Sequence, residues 1–220
     1  MDEYVWLAEK RHRGWPWPKD SWGLTPMFGE NGWCHACGVP RHPQTASMIL
    51  QGRGIKVQGA WVPNWQFDVI CMEASVAEAA AARFDLDLLK VEWHRTSPGD
   101  AWQIRTPIIG DAWFDPDELR EQATRQHGVA GATCQACGTW RWMPLVPGHL
   151  PPLRVTPGLG DADIAASPEW FGDGWKAFRQ IVMRRALAEA ITAANPRDWE
   201  IVPVSCASAT AGPVARGEER

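Results

Sequence analysis

Four of the six cysteines in this sequence fall in two matched runs, Cys34-His35-Ala36-Cys37-Gly38 and Cys134-Gln135-Ala136-Cys137-Gly138. A Cys-x-x-Cys-Gly run is a metal-binding knuckle. Two intervening residues let both sulfurs reach one ion, and the glycine lets the backbone turn tightly behind the second sulfur. Two knuckles supply four thiolates, the ligand set of a tetrahedral structural zinc site. The spacing therefore predicts one Zn2+ bound by Cys34, Cys37, Cys134 and Cys137. Residues 38 to 133 separate the two halves, where a zinc ribbon ordinarily has about 15 to 20 residues. Closing so long a span is feasible, because loop-closure entropy grows only with the logarithm of length and a structural zinc contributes on the order of 10 kcal/mol or more. The intervening chain is expected to form a folded layer of its own. The alternatives are a redox dithiol and two separate metal sites; the first needs a knuckle between a strand and a helix of a βαβ unit, which neither has. His35 is the one competing ligand beside the first knuckle and is read as an exposed knuckle residue.

Other residue types point to weaker chemistry. Cys71 and Cys206 are expected to be free thiols, Cys71 buried and inert within its apolar run. Asp115, Asp117 and Glu118 resemble an acid/base cluster, but they stand where the start of a helix needs caps. No Gly-rich phosphate loop, nucleophile elbow or His-Glu-x-x-His run occurs, and four cysteines around one zinc leave no open coordination position for catalysis. The expectation is a protein that is not an enzyme. Fifteen tryptophans stand against one tyrosine and six phenylalanines. Most should cement the core, with Trp15, Trp17 and Trp113, in turn-rich segments, as candidates for external contacts.

A net charge of -4 over 220 residues argues against a broad grip on phosphate backbones and suits a basic partner better. The start Met1-Asp2-Glu3 lacks the basic and apolar regions of a signal peptide, and no apolar run reaches the length of a membrane span. A cytoplasmic protein is expected, with no membrane contact.

These residues need a scaffold, and the pattern along the chain predicts an α+β fold: an antiparallel sheet with a few helices and a zinc-ribbon-like module made by the two distant knuckles. Residues 9 to 33, with Trp15-Pro16-Trp17-Pro18, read as irregular. Alternation over Ile55–Trp61 and Trp65–Ile70 predicts a hairpin broken at Pro63-Asn64. A helix is expected over Ala74–Phe84, and strands over Leu88–His94 and Trp102–Ile109 around the turn Ser97-Pro98-Gly99-Asp100. The next helix carries complete signals: Asp115 as N-cap, Pro116 in the first turn, Glu118 for a capping box, Phe114 to staple Leu119, and Gly128 past the end near His127. Thr139–Leu145 reads as the outgoing ribbon strand. Residues 1–146 are taken as the zinc-ribbon module with its inserted layer, 147–160 as a Pro/Gly-rich connector, 161–204 as a helix–strand unit packed on the first part, and 205–220 as a disordered tail. Within the third segment a helix capped by Asp173 is expected to carry Trp175, Phe178, Val182 and Ala186 on one face, with Arg179, Arg184 and Arg185 on a basic side, ending at Asn195-Pro196 before the strand Trp199–Val204.

Two distant Cys-x-x-Cys-Gly copies in a Trp- and Pro-rich chain of this size resemble the double-CXXCG motif family of bacterial immunity proteins, which neutralise toxins of polymorphic, contact-delivered systems. The run Trp170-Phe171-Gly172-Asp173-Gly174-Trp175-Lys176-Ala177-Phe178-Arg179, then Arg184–Glu189 and Glu200–Val204, is similar to the closing elements of such proteins. The resemblance implies that the four knuckle cysteines bind zinc, that no residue is catalytic, and that the partner is a cognate protein toxin, for instance a basic nuclease. Candidate contacts are the acids Asp85, Asp87 and Glu92 and the set Asp111, Asp115 and Asp117. The alternative is a zinc-ribbon nucleic-acid-binding or transcription-associated protein, for which Arg141 between Trp140 and Trp142 offers a stacking platform. The acidic balance and the lack of a dense Lys/Arg stripe weigh against it.

Overall fold

A computed structural model describes residues 4–11, 16–154 and 159–207. In chain order it contains β1 (Tyr4–Glu9), α1 (Leu24–Phe28), β2 (Ile49–Gln51), β3 (Ala60–Trp61), β4 (Cys71–Glu73), α2 (Ala74–Ala81), β5 (Leu88–Lys90), β6 (Glu92–His94), β7 (Ala101–Ile104), α3 (Pro116–His127), β8 (Gly131–Thr133), β9 (Trp140–Trp142), β10 (Ile164–Ala166), β11 (Ile181–Arg184), α4 (Arg185–Ala194) and β12 (Trp199–Pro203). The fold is mixed α+β with antiparallel sheets, as the sequence predicts.

The first sheet is antiparallel in the order β10-β11-β1-β12, with the N-terminal strand inserted between two strands from the C-terminal end. Side chains alternate across it, so each face has its own cluster. Val5, Met183 and Ile164 share one face and pack with Leu187, Ala188 and Ile191 of α4. Trp6, Val182 and Ala165 share the other and pack against Trp113, Phe114 and Phe171. The second sheet, β3-β4-β7-β5, works the same way. Ala60, Met72 and Ile104 join the α4 cluster, while Trp61, Cys71 and Ala101 face Leu24, Met27, Trp33 and Met48. Cys71 is fully buried there, as expected, and burial pushes its thiol up.

Several expected elements take another form. The run Leu88–His94 is interrupted at Val91, which is buried and donates its N–H to Ala101 O at 2.8 Å. β5 on one side pairs with β7, and β6 on the other pairs with β2, in parallel. The hairpin is present but shifted: β3 and β4 pair through Ala60↔Met72 and Trp61↔Cys71, and the expected second strand Trp65–Ile70 is a loop between them. In the C-terminal segment, Asp173 caps no helix. Its Oδ1 accepts from Gly174 N–H at 2.6 Å within a turn, and the helix begins at Arg185. Ile181–Arg184 is instead a central strand, because Val182 and Met183 alternate between two buried faces. Spacings of three and four suit a helix, yet a β-branched apolar run gains more here by pairing on both edges. The basic side dissolves accordingly: Arg184 lies on β11 beside Asp163, and Arg179 is in the preceding segment. The chain past β12 continues in order, with Ala207 N–H donating to Leu153 O at 2.7 Å. Trp15, residues 155–158 of the expected connector and residues 208–220 of the expected tail lie outside the described residues.

α3 follows its signals closely. Asp115 Oδ1 accepts from the N–H groups of Asp117 and Glu118 at 2.9 and 3.3 Å, and Gly128 closes the helix at φ 77°. Phe114 and Leu119 are both buried. Asp115 and Asp117 are thus occupied by the cap and by an ion pair with Arg120. Removing the cap orphans two amide donors, so Asp115→Ala should lower stability by about 1 kcal/mol in denaturant unfolding; an unchanged midpoint would refute the capping role.

Candidate metal centre

The two knuckles form the same turn. In the first, Cys34 N–H donates to Val39 O at 2.8 Å and Gly38 N–H to Cys34 O at 2.7 Å. In the second, Cys134 N–H donates to Thr139 O at 2.9 Å and Gly138 N–H to Cys134 O at 2.8 Å. Gly38 and Gly138 have φ of 77° and 75°, the left-handed region where a Cβ is disfavoured. The first knuckle follows α1, and the second is the tip of the β8–β9 hairpin, whose register is Gly131↔Trp142, Ala132↔Arg141, Thr133↔Trp140.

The knuckles meet face to face. The four sulfurs of Cys34, Cys37, Cys134 and Cys137 all lie within 4.8 Å of one another, with Cys34 Sγ 3.8 Å from Cys134 Sγ and Cys37 Sγ 3.6 Å from Cys137 Sγ. Those separations are far beyond a disulfide bond of about 2.05 Å. They match the edge of a tetrahedron, which is about 3.8 Å when each sulfur is bonded at about 2.3 Å to a central ion. The cluster can therefore hold a metal ion. The first three sulfurs are buried and Cys137 is partly exposed, bordering an open cleft of about 520 Å3 with Arg41, Thr139 and Trp170.

The environment divides the thiols. Burial pushes Cys37 up, whereas N–H groups of Ala136 and Cys137 pull Cys134 down and the Thr139 side chain brings Cys137 down to about 6. Cys134 and Cys137 favour the thiolate by themselves; Cys37 needs a cation to hold its charge away from water. His35 supplies no ligand: it is exposed, stacks on Trp33 at 4.0 Å, and its Nε2 lies 2.7 Å from Glu30 O.

Arg141 has a role that its sequence position does not disclose. It is buried on β9, and its Nη1 donates to Cys37 O at 3.2 Å and Lys176 O at 2.9 Å. One guanidinium thus ties both knuckles to the segment before β11. Trp142 is buried as well, leaving Trp140 exposed, so the stacking platform expected of the three residues is not assembled. Trp170 packs against the cysteine cluster, with the guanidinium of Arg179 3.8 Å from its ring centroid. Arg179 Nη1 donates to Ser167 O at 2.6 Å and to Pro168 O, while its backbone N–H donates to Asp68 Oδ2 at 3.0 Å. Burial pushes Asp68 and Glu169 up, and brings Lys176 down to about 8 and Arg179 down to about 10. Only a short-range signal, the arginine next to a knuckle, hinted at this network.

The remaining candidates separate. Trp113 is fully buried, its indole N–H donating to Ile109 O at 2.8 Å, and is a core residue rather than an external contact. Trp17 is exposed. Among the acids, Asp87 pairs with Arg105 at 2.6 Å, while Asp85, Glu92 and Asp111 are exposed. Among the described residues no helix is long and apolar enough to cross a membrane. Comparison with family models, curated proteins and solved structures returns no match for this chain.

The glycines offer a graded test. A Cβ on Gly138 meets nothing within 4 Å, but one on Gly38 would lie 2.4 Å from Trp175 O. Gly138→Ala should cost about 1–2 kcal/mol from backbone conformation alone. Gly38→Ala should cost more, through collision with a carbonyl, and unfolding midpoints in equal or reversed order would contradict the packing described.

Proposed function

We propose that this protein is a non-enzymatic bacterial immunity protein that binds a cognate toxin and neutralises it by occlusion, on a scaffold held by structural zinc. The observation that carries this reading is the closed four-sulfur cluster built from two distant Cys-x-x-Cys-Gly knuckles, the feature through which the chain resembles the double-CXXCG immunity proteins. Cys34, Cys37, Cys134 and Cys137 would hold the ion. Zinc would neutralise the thiolates and cross-link the two knuckles, and four protein sulfurs leave no position for a substrate or an activated water. The acidic balance of the chain favours a basic partner, whose approach complementary charge would accelerate. The cytoplasm is the compartment that suits free thiols and a toxin intercepted inside the cell.

Elemental analysis of protein purified without chelator should find one zinc per chain, and none or two would overturn the site. Cys34→Ser should lower the melting temperature of the whole protein, because the metal closes a span that includes the second sheet. An unchanged midpoint in metal-depleted variant would make the ion peripheral.

Co-expression with the products of neighbouring genes tests the function itself. One of them should be toxic alone, be tolerated with this protein and co-elute with it in fixed stoichiometry, with an association rate that falls as salt rises while dissociation changes little. If no neighbour is toxic and the protein retains RNA or DNA through a moderate-salt wash, the nucleic-acid reading replaces this one.

A further inference from the structure

The loop joining β3 to β4 is built inside out. Asn64 and Gln66 are each 3% exposed, whereas the aromatic residues between and after them, Trp65 and Phe67, are 43% and 47% exposed. Hydrogen bonds hold this polarity: Asn64 N–H donates to Pro16 O at 3.0 Å, Gln66 N–H donates to Pro63 O at 2.9 Å, and the Gln66 amide donates to Trp22 O. Trp65 and Trp22 have φ of 64° and 59°, a left-handed conformation that bulky residues keep only where their surroundings impose it. A fold with surplus aromatic residues would bury the rings and leave the amides in water; here both preferences are reversed.

The displaced rings gather into one surface. The Trp22 ring lies 5.2 Å from Trp17, 5.8 Å from Trp65 and 5.0 Å from Trp175, and Phe67 lies 6.1 Å from Trp65. Trp17 and Trp175 are 41% and 38% exposed. Three separate segments thus contribute to a contiguous aromatic face. Its sequence neighbours include the exposed carboxylates Asp20 and Asp173, the half-buried Lys19 and the buried Lys176. The first knuckle abuts this face, since the carbonyl of Trp175 is the group that leaves no room for a Cβ on Gly38.

We propose that this face docks a protein partner through lysine and arginine side chains laid over the indoles. Indole faces attract cations within about 6 Å of the ring centroid, and the exposed carboxylates of Asp20 and Asp173, close in sequence, and the net charge of -4 complement the same partner. The contact already occurs within the fold, where Arg179 covers Trp170. The rings lean on one another rather than enclosing a hole, which suits a protein surface better than a lone quaternary ammonium ion. The net charge of -4 disfavours a phosphate backbone passing over the rings. The proposal deepens the toxin-binding reading and rests on it for the identity of the partner.

The test uses the full chain with its metal, titrated with a lysine- and arginine-rich peptide and followed by tryptophan fluorescence. Binding should saturate, weaken with salt, and fall about tenfold or more in Trp65→Ala/Trp175→Ala and to a smaller extent in Asp20→Asn/Asp173→Asn. Trp65→Gly accommodates the left-handed backbone without strain and provides a variant that keeps its fold, checked by circular dichroism, while peptide binding falls. Undiminished peptide binding in these variants, preferential binding of oligothymidylate or of a β-linked oligosaccharide, or ring-dependent self-association of the protein would each overturn the proposal. A toxin complex that survives Trp65→Gly/Trp175→Ala would overturn it while leaving the immunity reading intact. Ring-dependent peptide binding without any toxic neighbour would sustain the docking face and remove the toxin.

Discussion

Four sulfurs gathered within 4.8 Å, three of them buried, are tolerable as thiolates only around a cation, and this electrostatic requirement governs much of the architecture. Without an ion, burial holds Cys37 in its neutral form; with one, the same burial strengthens attraction between the ion and its ligands. The cluster joins the turn after α1 to the tip of the β8–β9 hairpin. Everything between them, including the second sheet, is therefore enclosed by one closure. The cost of closing such a span rises slowly with its length, so a long insert is compatible with a small metal site.

The junction of the two knuckles is reinforced by neutral and charged contacts besides the sulfurs. Arg141 joins Cys37 O to Lys176 O, and Ala177 and Trp170 cover the sulfurs. The first sheet supplies the other long-range constraint: β1 sits between β11 and β12, so the two ends of the described chain are held in one hydrogen-bonded ladder. Non-local pairing of this kind places the aromatic segment 170–178 between the cysteine cluster and the sheet, where both can determine its position.

That position gives the tryptophan excess a meaning. Trp6, Trp113, Trp142 and Trp199 are core residues, in keeping with the ordinary use of large aromatics. Trp17, Trp65 and Trp175 are held at the surface while Asn64 and Gln66 are taken inside. Burying the Gln66 amide is offset by its bond to Trp22 O, and a docked partner would give the exposed rings a role.

The knuckles, the boundaries of α3 and the burial of Cys71 were legible in the sequence because each depends on chemistry confined to a few residues. Each Cys-x-x-Cys-Gly turn is closed by hydrogen bonds within a few residues, and Asp115, Pro116 and Gly128 specify helix ends through local hydrogen bonds and backbone angles. Periodicity over Trp65–Ile70 was also real, since exposure does alternate along part of it. Which phase of that alternation faces inward is tied to Trp22, whose carbonyl captures the Gln66 side chain from a distant position, while Pro16 O anchors the Asn64 backbone N–H just before the run. Likewise Ile181–Arg184 became a strand because β1 and β10 stand on either side of it, and Arg141 turned inward because two carbonyls from other segments converge on it. Local chemistry determined which elements and ligands could form; tertiary structure decided which faces were buried, because burial is a property of partners remote in the chain.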